Sequence, residues 1–495
     1  MDQYGRPECL PGTRVDVLNF IMTWVANAGS NHNVLWLHGV AGSGKSTLST
    51  TVANLFDETN RLGAFIFFNR NVAERSNPAL VIRTLAHKLG RFDYRIGDAI
   101  ASVVEVNSTI VESPIHIQFK KLLLDPLRKL ANLHFEGPIV VVFDAIDECG
   151  SIDERKLLLK VLAEESANLP TFLRIIITSR PEHDIRRLFE SQGHILSYTL
   201  HIASELIRKD IESFLRHRMS EIRAENNALL SADWPGENRL RTLAERASGL
   251  FIWASTACKF IDAYDPEQRL GVLMQADVGC DAESALDSLY ITALRSAGQW
   301  DDPDFAADFR TIVGTLVVAR NPLSLAALNK LLCTGSRRPP VHAISRLGCV
   351  LYSDTIIRIL HPSFADFLSN RTRCQSDAWF INISMHHMRI AQLCLDHMDS
   401  YLRYNMCHLK LSKMADASLS DDVAYACEFW VEHVCIIEDA AFIADRLNIF
   451  LFKHLMHWFE AMSILKKSRE TIGLMKRLCD WHTVRPANIS FDLIH

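Results

Sequence analysis

The chain has 495 residues, enough for about three domains at roughly 150 residues each. Its 53 Lys and Arg against 58 Asp and Glu leave a formal net charge of -5, which gives no support for nucleic acid as a main partner. With 48% hydrophobic and 22% charged residues, the composition is that of an ordinary globular protein. The 25 Phe and 9 Trp supply enough apolar area for packed cores and exclude a disordered chain.

Targeting and redox signals indicate a cytoplasmic chain without a membrane span. No apolar run reaches the ~20 residues that cross a bilayer, and the N-terminal sequence MDQYGRPECL lacks the apolar core of a secretory signal. The 12 cysteines are scattered without a CxxC pair, so we expect them to be reduced and mostly buried. The spacing of His433 and Cys435 would allow a shared metal. Such a spacing much more often reflects two ordinary positions on a helical segment.

Short apolar runs alternate with amphipathic helical stretches over the first half of the chain. The predicted strands are Val34–His38, Gly63–Phe68, Pro138–Phe143, Leu173–Thr178 and Ile195–Leu200. The predicted helices between them include Ser46–Phe56, Ala79–Leu89 and Glu154–Ala167. Because the strands are nearly all apolar and alternate with helices, they predict a mostly parallel sheet that is covered on both faces.

After about residue 203 the pattern becomes helical. Ile207–Met219 and Leu240–Ile261 have helical spacing. Helices that meet at Asn321-Pro322, a hairpin over Val350–Leu360 and a helix over Pro362–Leu368 outline a winged helix, since Pro cannot continue a helical ladder. The remainder is predicted to be helical, with core anchors at Trp379, Trp430, Trp458 and Trp481.

The strongest motif is a glycine-rich loop that matches G-x-x-x-x-G-K-[ST] between a predicted strand and a predicted helix. Glycines let successive backbone N–H groups face phosphate oxygens, and the helix that begins near Lys45 adds its positive dipole end. Lys45 supplies an ammonium for the β- and γ-phosphates, and Ser46 supplies a hydroxyl for Mg²⁺. A plain glycine-rich turn is the alternative. The expected nucleotide contacts are Gly39, Val40, Ala41, Gly42, Ser43, Gly44, Lys45, Ser46 and Thr47.

Acidic residues follow the third predicted strand, in the sequence IVVVFDAIDE. Asp144 ends that strand at the edge where open α/β sheets bind ligands, and it is predicted to hold the Mg²⁺ shell. Asp147 and Glu148 are the candidates for activating the water that attacks the γ-phosphate. The alternative is a solvated helix start, which acidic residues favour. Arg180, at the end of another strand, is predicted to sense the γ-phosphate by charge-assisted hydrogen bonds; alone, it would more often be a surface residue.

P-loops serve kinases, motors, GTPases and switches, so the loop alone does not decide the function. No guanine-specifying N-K-x-D is present. The acidic pattern and the TSR sequence at Thr178–Arg180 resemble the NACHT branch of the STAND signalling ATPases, of the fungal NOD-like receptor type with a nephrocystin-3-like N-terminal NACHT region. Further likenesses, which cover nearly the whole chain, lie at Cys9–Arg14, Phe67–Arg70, Leu85–Leu89, Ala247–Ala254, Asn321–Ser324, Leu360–Leu368, Tyr425–Trp430 and His457-Trp458.

The resemblance implies ATP or ADP as ligand, with Mg²⁺. Thr13 and Arg14 match the lead-in that touches the adenine and ribose, and Ala247–Ala254 occupies the place of a nucleotide motif in a small helical domain. That motif lacks the proline that stacks near the adenine in many relatives. His361 lies where the family's winged-helix histidine reaches the ADP β-phosphate; a capping or packing histidine is the alternative.

The predicted fold class is an α/β P-loop NTPase, with a parallel sheet and helices on both faces, followed by all-helical, winged-helix and helical-tail domains. The predicted divisions are a lead-in helical segment (1–32), the P-loop NACHT domain (33–203), a small helical domain (204–270), the winged helix (280–372) and a C-terminal helical domain (375–495). Relatives usually carry an N-terminal effector and a C-terminal repeat sensor. We therefore expect a fragment, a truncated product, or a compact member that works through partners.

The resemblance implies a switch in which ADP keeps the winged helix folded back, while exchange to ATP opens the arm and allows self-oligomerisation, with slow hydrolysis. Its expected setting is fungal innate-immunity-like or self/non-self signalling, with effector or sensor partners outside this sequence and without nucleic acid. Two alternatives stay open: a continuously turning-over ATPase of motor or remodelling type, and an adaptor with a structural nucleotide site.

Overall fold

The computed structural model describes residues 6–27, 31–130, 137–277, 279–332, 344, 346–353, 356–406, 418–485 and 489. The chain forms two compact units, Met1–Ser288 and Leu289–His495. None of the helices in the described ranges has an apolar stretch long enough to cross a membrane. Most of the cysteines in these ranges are buried, and all of them are free thiols.

The first unit is built on a parallel sheet. Its strands are β1 (Val34–His38), β2 (Leu62–Phe67), β3 (Ile139–Asp144), β4 (Leu173–Ser179) and β5 (Ile195–Thr199). They lie in the order β2-β3-β4-β1-β5, and every neighbouring pair is parallel. The apolar runs therefore predicted all five strands to within about a residue at each end.

Hydrophobic cores cover both faces of this sheet. Successive β1 residues face opposite sides, so Val34 and Trp36 belong to one buried cluster and Leu35 and Leu37 to another. Four strands are buried along almost their whole length, which confirms the predicted α/β fold with a two-sided sheet. The edge strand β5 differs, because its residues alternate between buried and more exposed positions.

Helices surround the sheet and continue beyond β5. The α-helices of the first unit are α1 (Val15–Ala26), α2 (Lys45–Glu58), α3 (Ala73–Ser76), α4 (Val81–Phe92), α5 (Tyr94–Val106), α6 (Ile115–Gln118), α7 (Asp125–Lys129), α8 (Ile152–Glu164), α9 (His183–Phe189), α10 (Glu205–Glu225), α11 (Glu237–Arg246), α12 (Phe251–Ile261) and α13 (Pro266–Gln275). Short 3₁₀ turns lie at Pro78–Leu80, Ser108–Glu112, Ile146–Glu148 and Ser166–Asn168, with a π-helical turn at Phe119–Leu124.

One predicted helical stretch, Leu240–Ile261, is broken in the structure. Helices α11 and α12 are separated at Ser248 and Gly249, which have φ values of 47° and 80°. A Cβ at Gly249 would lie 2.1 Å from the carbonyl oxygen of Ile202. The close approach and the left-handed backbone explain both the glycine and the end of α11.

The second unit is mostly helical and carries a small antiparallel sheet. Its strands are β6 (Leu323–Ser324), β7 (Leu351–Ser353) and β8 (Ile356–Ile359), in the order β6-β8-β7. Strands β7 and β8 therefore pair as the predicted hairpin, while Asp354 lies outside the described residues. The α-helices within the described part of this unit, the first of which begins before the boundary, are Ala282–Ala297, Pro303–Val318, Leu325–Leu331, Pro362–Ser369, Arg371–Cys374, Ile383–Tyr401, Asp421–Val434, Ala444–Ile449, Leu455–Ile464 and Ser468–Val484. A 3₁₀ turn lies at Ala440–Phe442 and a π-helical turn at Phe450–His454.

The tryptophans predicted as anchors of the second unit are buried. Trp430 and Trp458 are fully buried and meet edge to face at 5.9 Å between ring centroids. Trp379 and Trp481 are almost as deeply buried, and each donates its indole N–H to a backbone carbonyl oxygen. The helical and winged-helix pattern thus describes this unit, while the finer domain boundaries stay predictions.

Candidate nucleotide site

Parallel strand register brings the sequence motifs to one edge of the sheet. His38 at the end of β1 pairs with Ser179 at the end of β4, and Phe67 at the end of β2 pairs with Asp144 at the end of β3. The glycine-rich loop, the acidic segment and Arg180 each begin where one of these strands ends. They therefore converge at the carboxyl edge, as expected for a ligand site in an open α/β sheet.

The loop between β1 and α2 has the backbone of a phosphate cradle. Gly42 and Gly44 have φ values of 78° and 90°, in the left-handed region that side chains rarely adopt. A Cβ at Gly42 would lie 2.0 Å from Cγ2 of Ile252. The Ser43 hydroxyl is buried without a hydrogen-bond partner among the described residues. Left-handed glycines, an unpartnered polar atom and the start of α2 fit a bound phosphate chain.

Lys45 lies at the start of α2, and its ammonium is held by the loop itself. Nζ donates to the carbonyl oxygens of Gly39 at 2.7 Å and Val40 at 2.9 Å. Burial lowers the pKa of Lys45 to about 8, although Asp147 acts in the opposite direction. Neutral carbonyl oxygens compensate a buried cation only in part, so a phosphate oxygen would be a better partner for this ammonium.

The remaining loop residues lie as the motif predicts. Ala41 is half-buried and Val40 is exposed. Ser46 and Thr47 occupy the first turn of α2, and both are half-buried. Hydroxyl and carboxylate oxygens are ligands that Mg²⁺ prefers, so Ser46 and Asp144 suit that ion chemically. No cluster of three or more His, Cys, Asp or Glu side chains that could hold a metal occurs in the described ranges.

Asp144 is fully buried and already has two partners. Its Oδ1 accepts from the hydroxyl of Thr178 at 2.7 Å, and its Oδ2 accepts from Nη2 of Arg6 at 2.9 Å. The Thr178 contact follows from the neighbouring ends of β3 and β4, and the same hydroxyl accepts from the N–H of Ala145 at 3.0 Å. Arg6 was missed by the sequence analysis, because nothing in its local sequence links it to a strand 138 positions away.

Asp147 and Arg180 are paired with each other. The backbone N–H of Arg180 donates to Oδ1 of Asp147 at 3.1 Å, and its Nε lies 3.5 Å from Oδ2. Arg155 on α8 holds the same segment, since it donates to the Asp147 carbonyl oxygen at 2.5 Å and binds Asp184 through two nitrogens, at 2.8 and 3.0 Å. Arg155 is a positioning residue that the sequence analysis missed.

Glu148, the second candidate base, is half-buried. Burial raises its pKa to about 7, while the Arg70 charge acts in the opposite direction. Its Oε2 accepts from the backbone N–H of Arg70 at 3.3 Å. A carboxylate with a pKa near neutrality, at the edge that carries Lys45, suits a general base.

The lead-in segment contacts the loop directly. Thr13 is buried and donates its hydroxyl to the Leu10 carbonyl oxygen at 2.7 Å. Arg14, at a φ of 58°, donates its backbone N–H to Asp210 at 3.0 Å and its guanidinium to the Ser43 carbonyl oxygen. Its Cζ also lies 4.9 Å from the ring centroid of Phe251. Arg14 therefore joins the lead-in, the loop and the start of α12. Phe251 lies within the Ala247–Ala254 motif, whereas Asp210 had no sequence signal.

His361 lies in the second unit, where it caps a helix. Its Nδ1 accepts from the backbone N–H of Ser363 at 3.2 Å and pairs with the Ser363 hydroxyl at 2.6 Å, at the start of helix Pro362–Ser369. The capping alternative thus describes this contact. Contact of His361 with an ADP phosphate stays a prediction.

The Nephrocystin 3, N-terminal family model matches residues 19–180, which is less than half of the chain and runs from α1 through the end of β4. No curated protein matches the sequence.

The solved structures that are similar to this chain include three that align over most of their own length. A Walker-type ATPase of Pyrococcus abyssi aligns over 76% of this chain and 100% of its own, at 14% identity and a TM-score of 0.38. Cdc6p of Pyrobaculum aerophilum aligns over 71% and 91%, at 13% identity and 0.32. The Orc1 protein of Aeropyrum pernix, solved in complex with DNA, aligns over 75% and 94%, at 14% identity and 0.30. These TM-scores are too low to transfer a function, and the assignment to the P-loop NTPases rests on the sheet order and the loop.

Proposed function

We propose that this chain binds ATP and ADP with Mg²⁺ at the β1–α2 loop and acts as a slow nucleotide-controlled switch of the NACHT type. The observation that carries the proposal is the contact between the loop and α12. The N–H of Ile252 donates to the Gly42 carbonyl oxygen at 3.2 Å, and the Ile252 side chain covers the place of a Cβ on Gly42. A loop that changes shape around phosphate must therefore move or strain α12.

The residues of the edge have distinct roles in this proposal. Lys45 leaves its carbonyl partners for the β- and γ-phosphates, while Ser46 and Asp144 hold the Mg²⁺ shell. The bound ion would neutralise charge on the phosphate oxygens. Glu148, with Asp147 beside it, takes the proton of the attacking water. Arg180 senses the γ-phosphate, for which it must exchange its contact with Asp147.

The switch itself is the differential affinity of two conformations for ADP and ATP. In the ADP form His361 reaches the β-phosphate and the winged helix stays folded back. Exchange to ATP opens the arm and allows the chain to self-associate and to engage effector or sensor partners. The signalling or defence setting is supported by the sequence resemblance described above.

A continuously turning-over ATPase of motor or remodelling type fits the same edge, and so does an adaptor with a structural nucleotide. Turnover separates them: we expect steady-state hydrolysis far below ~1 s⁻¹, while ~1–100 s⁻¹ would favour the motor. Glu148→Gln should keep nucleotide binding and abolish the slow hydrolysis. A chain that binds nucleotide but never hydrolyses it would favour the adaptor.

The coupling between the loop and α12 is tested with Ile252→Ala, which keeps the backbone N–H and removes the side chain over Gly42. We expect the ratio of the ADP to the ATP dissociation constant to change at least threefold, measured with fluorescent nucleotides. Val272→Ala on α13 is the matched control, because it shortens an exposed apolar side chain in the same unit. An unchanged ratio in Ile252→Ala would remove the basis for a switch.

A further inference from the structure

The ion pair between Arg6 and Asp144 places a cation where the proposed metal site needs a free carboxylate. Oδ1 of Asp144 accepts from Thr178, and Oδ2 accepts from Arg6 at 2.9 Å, so a metal shell at this carboxylate would meet the Arg6 cation. Asp144 is fully buried, whereas the Arg6 side chain remains about a quarter exposed. The carboxylate is thus a fixed part of the sheet, and the arginine reaches it from the surface.

The contact has the features of a replaceable partner. Only Nη2 of Arg6 meets the carboxylate, and Nη1 is buried without a hydrogen-bond partner among the described residues. Arg155 and Asp184 show the contrasting arrangement, with two nitrogens on two oxygens at 2.8 and 3.0 Å. A single contact with an unpaired nitrogen stabilises the folded state less than a bidentate pair.

Arg6 belongs to a strap, which we define as residues 6–9. The strap is fastened by the N–H of Cys9, which donates to the hydroxyl of Thr51 on α2 at 2.8 Å. The Arg6 guanidinium stands over the Phe67 ring of β2, with Cζ 4.3 Å from the centroid. Aromatic stacking and one carboxylate therefore hold the N-terminal end of the strap across the carboxyl edge.

We propose that Arg6 and the nucleotide-bound metal compete for Asp144, so that loading of the metal–nucleotide complex releases the strap from the sheet edge. Two cations at one buried carboxylate repel each other, because the low local dielectric strengthens like-charge repulsion as well as attraction. The metal–nucleotide complex thus replaces Arg6, and nucleotide without metal leaves it in place. This inference rests on the proposed nucleotide site.

The first test is the Mg²⁺ dependence of ADP binding, measured with a fluorescent ADP analogue in EDTA and across a Mg²⁺ titration. Arg6→Gln should lower the Mg²⁺ concentration at half-saturation about tenfold, which corresponds to about 1.4 kcal/mol. In EDTA its affinity for the analogue should stay within about twofold of wild type. Arg6→Lys keeps a cation and should stay within about threefold of wild type in Mg²⁺.

Arg75→Gln is the matched control, since the Arg75 guanidinium also stands 4.3 Å from the Phe67 centroid. It removes the same charge near the same ring and should leave the Mg²⁺ midpoint unchanged. Equal midpoints for wild type and Arg6→Gln would overturn the competition. An equal shift in Arg75→Gln would also overturn it, because general charge removal would then explain the effect.

Hydrogen exchange provides a readout that is independent of affinity. In wild type the amide of Cys9 should exchange at least fivefold faster with Mg²⁺–ADP than with ADP in EDTA, since release of the strap frees its bond to Thr51. In Arg6→Gln exchange should be fast in both conditions. Exchange that does not respond to Mg²⁺ in wild type would overturn strap release. Failure of wild type to bind the analogue under any condition would instead refute the nucleotide site itself.

Discussion

Two polar clusters, one in each unit, differ in how completely their buried polar groups are hydrogen-bonded. The phosphate edge, which we define as the loop and side chains at the carboxyl ends of β1 and β3, collects charged groups. Lys45, Asp144 and Asp147 are buried there, and Glu148 is half-buried. The histidine network of the second unit, which we define as His387, His433 and Tyr425, is buried but can be neutral throughout.

The hydrogen bonds of the histidine network form a consistent chain. The N–H of Arg320 donates to the Tyr425 hydroxyl at 3.1 Å, and that hydroxyl lies 2.9 Å from Nε2 of His433. Nδ1 of His433 then lies 2.8 Å from Nδ1 of His387. If Tyr425 donates to His433, then His433 donates to His387, and every atom of these contacts has a matching partner.

Burial keeps this network uncharged. It lowers the pKa of His387 to about 3 and that of His433 far below its usual value, and it raises the pKa of Tyr425. The same network explains His433 without a metal, since Cys435 instead contacts the Arg477 carbonyl oxygen at 3.7 Å.

The phosphate edge keeps unfinished contacts. Lys45 has two neutral acceptors, the Ser43 hydroxyl has no partner in the part of the chain that the structure describes, and Glu148 is half-buried with a raised pKa. Such groups lower the stability of the fold, and a ligand with complementary charge relieves that cost. The comparison indicates that completed neutral networks support structure, whereas incomplete charged ones mark the binding site.

The largest expected effect is on ligand affinity at the phosphate edge. Lys45→Ala should weaken ADP binding at least 100-fold, because it removes the charge-assisted bonds to the phosphates. The free energy of unfolding without nucleotide should stay the same or rise, since a buried cation is lost. Calorimetric titration and urea unfolding measure the two quantities. Wild-type affinity in this variant would contradict the nucleotide site.

The second prediction breaks the histidine network. His433→Leu should lower the free energy of unfolding by about 3 kcal/mol, because the Tyr425 hydroxyl and Nδ1 of His387 lose their partners in a buried place. ADP affinity should not change, since the network contains no predicted nucleotide contact. The double variant Tyr425→Phe with His433→Leu should lose less than the sum of the single variants. Additive losses in urea unfolding would show that the chain is not a unit.

The third prediction uses the pKa of Glu148, raised by burial from 4.5 to about 7. Between these pH values the folded state binds more protons than the unfolded state, so the Glu148 contribution to stability falls as pH rises through that window. Glu148→Gln should therefore gain about 2–3 kcal/mol relative to wild type between pH 5 and pH 8, without nucleotide. Chemical unfolding at the two pH values measures it. If the difference in unfolding free energy between Glu148→Gln and wild type does not depend on pH, the pKa of this carboxyl is not raised in the folded state.

The smallest effect is expected at the surface of the second unit. Arg446 and Asp396 form an ion pair at 2.7 Å, with both side chains at least 40% exposed. Arg446→Gln should change the free energy of unfolding by less than about 0.5 kcal/mol and leave ADP affinity unaltered, because solvent screens such pairs. A loss above 1 kcal/mol would show that polar contacts outside the two clusters also matter.

Local sequence was sufficient to predict the strands and the glycine-rich loop. It was also sufficient to predict that Asp144 and the Thr178–Arg180 segment lie at the same edge of the sheet. Apolar runs reveal buried strands without reference to the rest of the chain, and parallel strands bring their carboxyl ends to one edge. Helical periodicity was less reliable, because it predicted one helix where the structure has α11 and α12. The break lies at Gly249, where the backbone packs against Ile202, a residue far away in sequence.

Only the folded chain revealed which charged groups are already paired and what covers the loop. Arg6 meets Asp144 across 138 positions, and His387 meets His433 across 46. The cover on Gly42 comes from Ile252 in a later helix. Such contacts depend on packing between segments that no local pattern relates. Motifs therefore identified the chemistry of the edge, while tertiary structure decided that Lys45 is held by its own loop and that an arginine occupies the carboxylate.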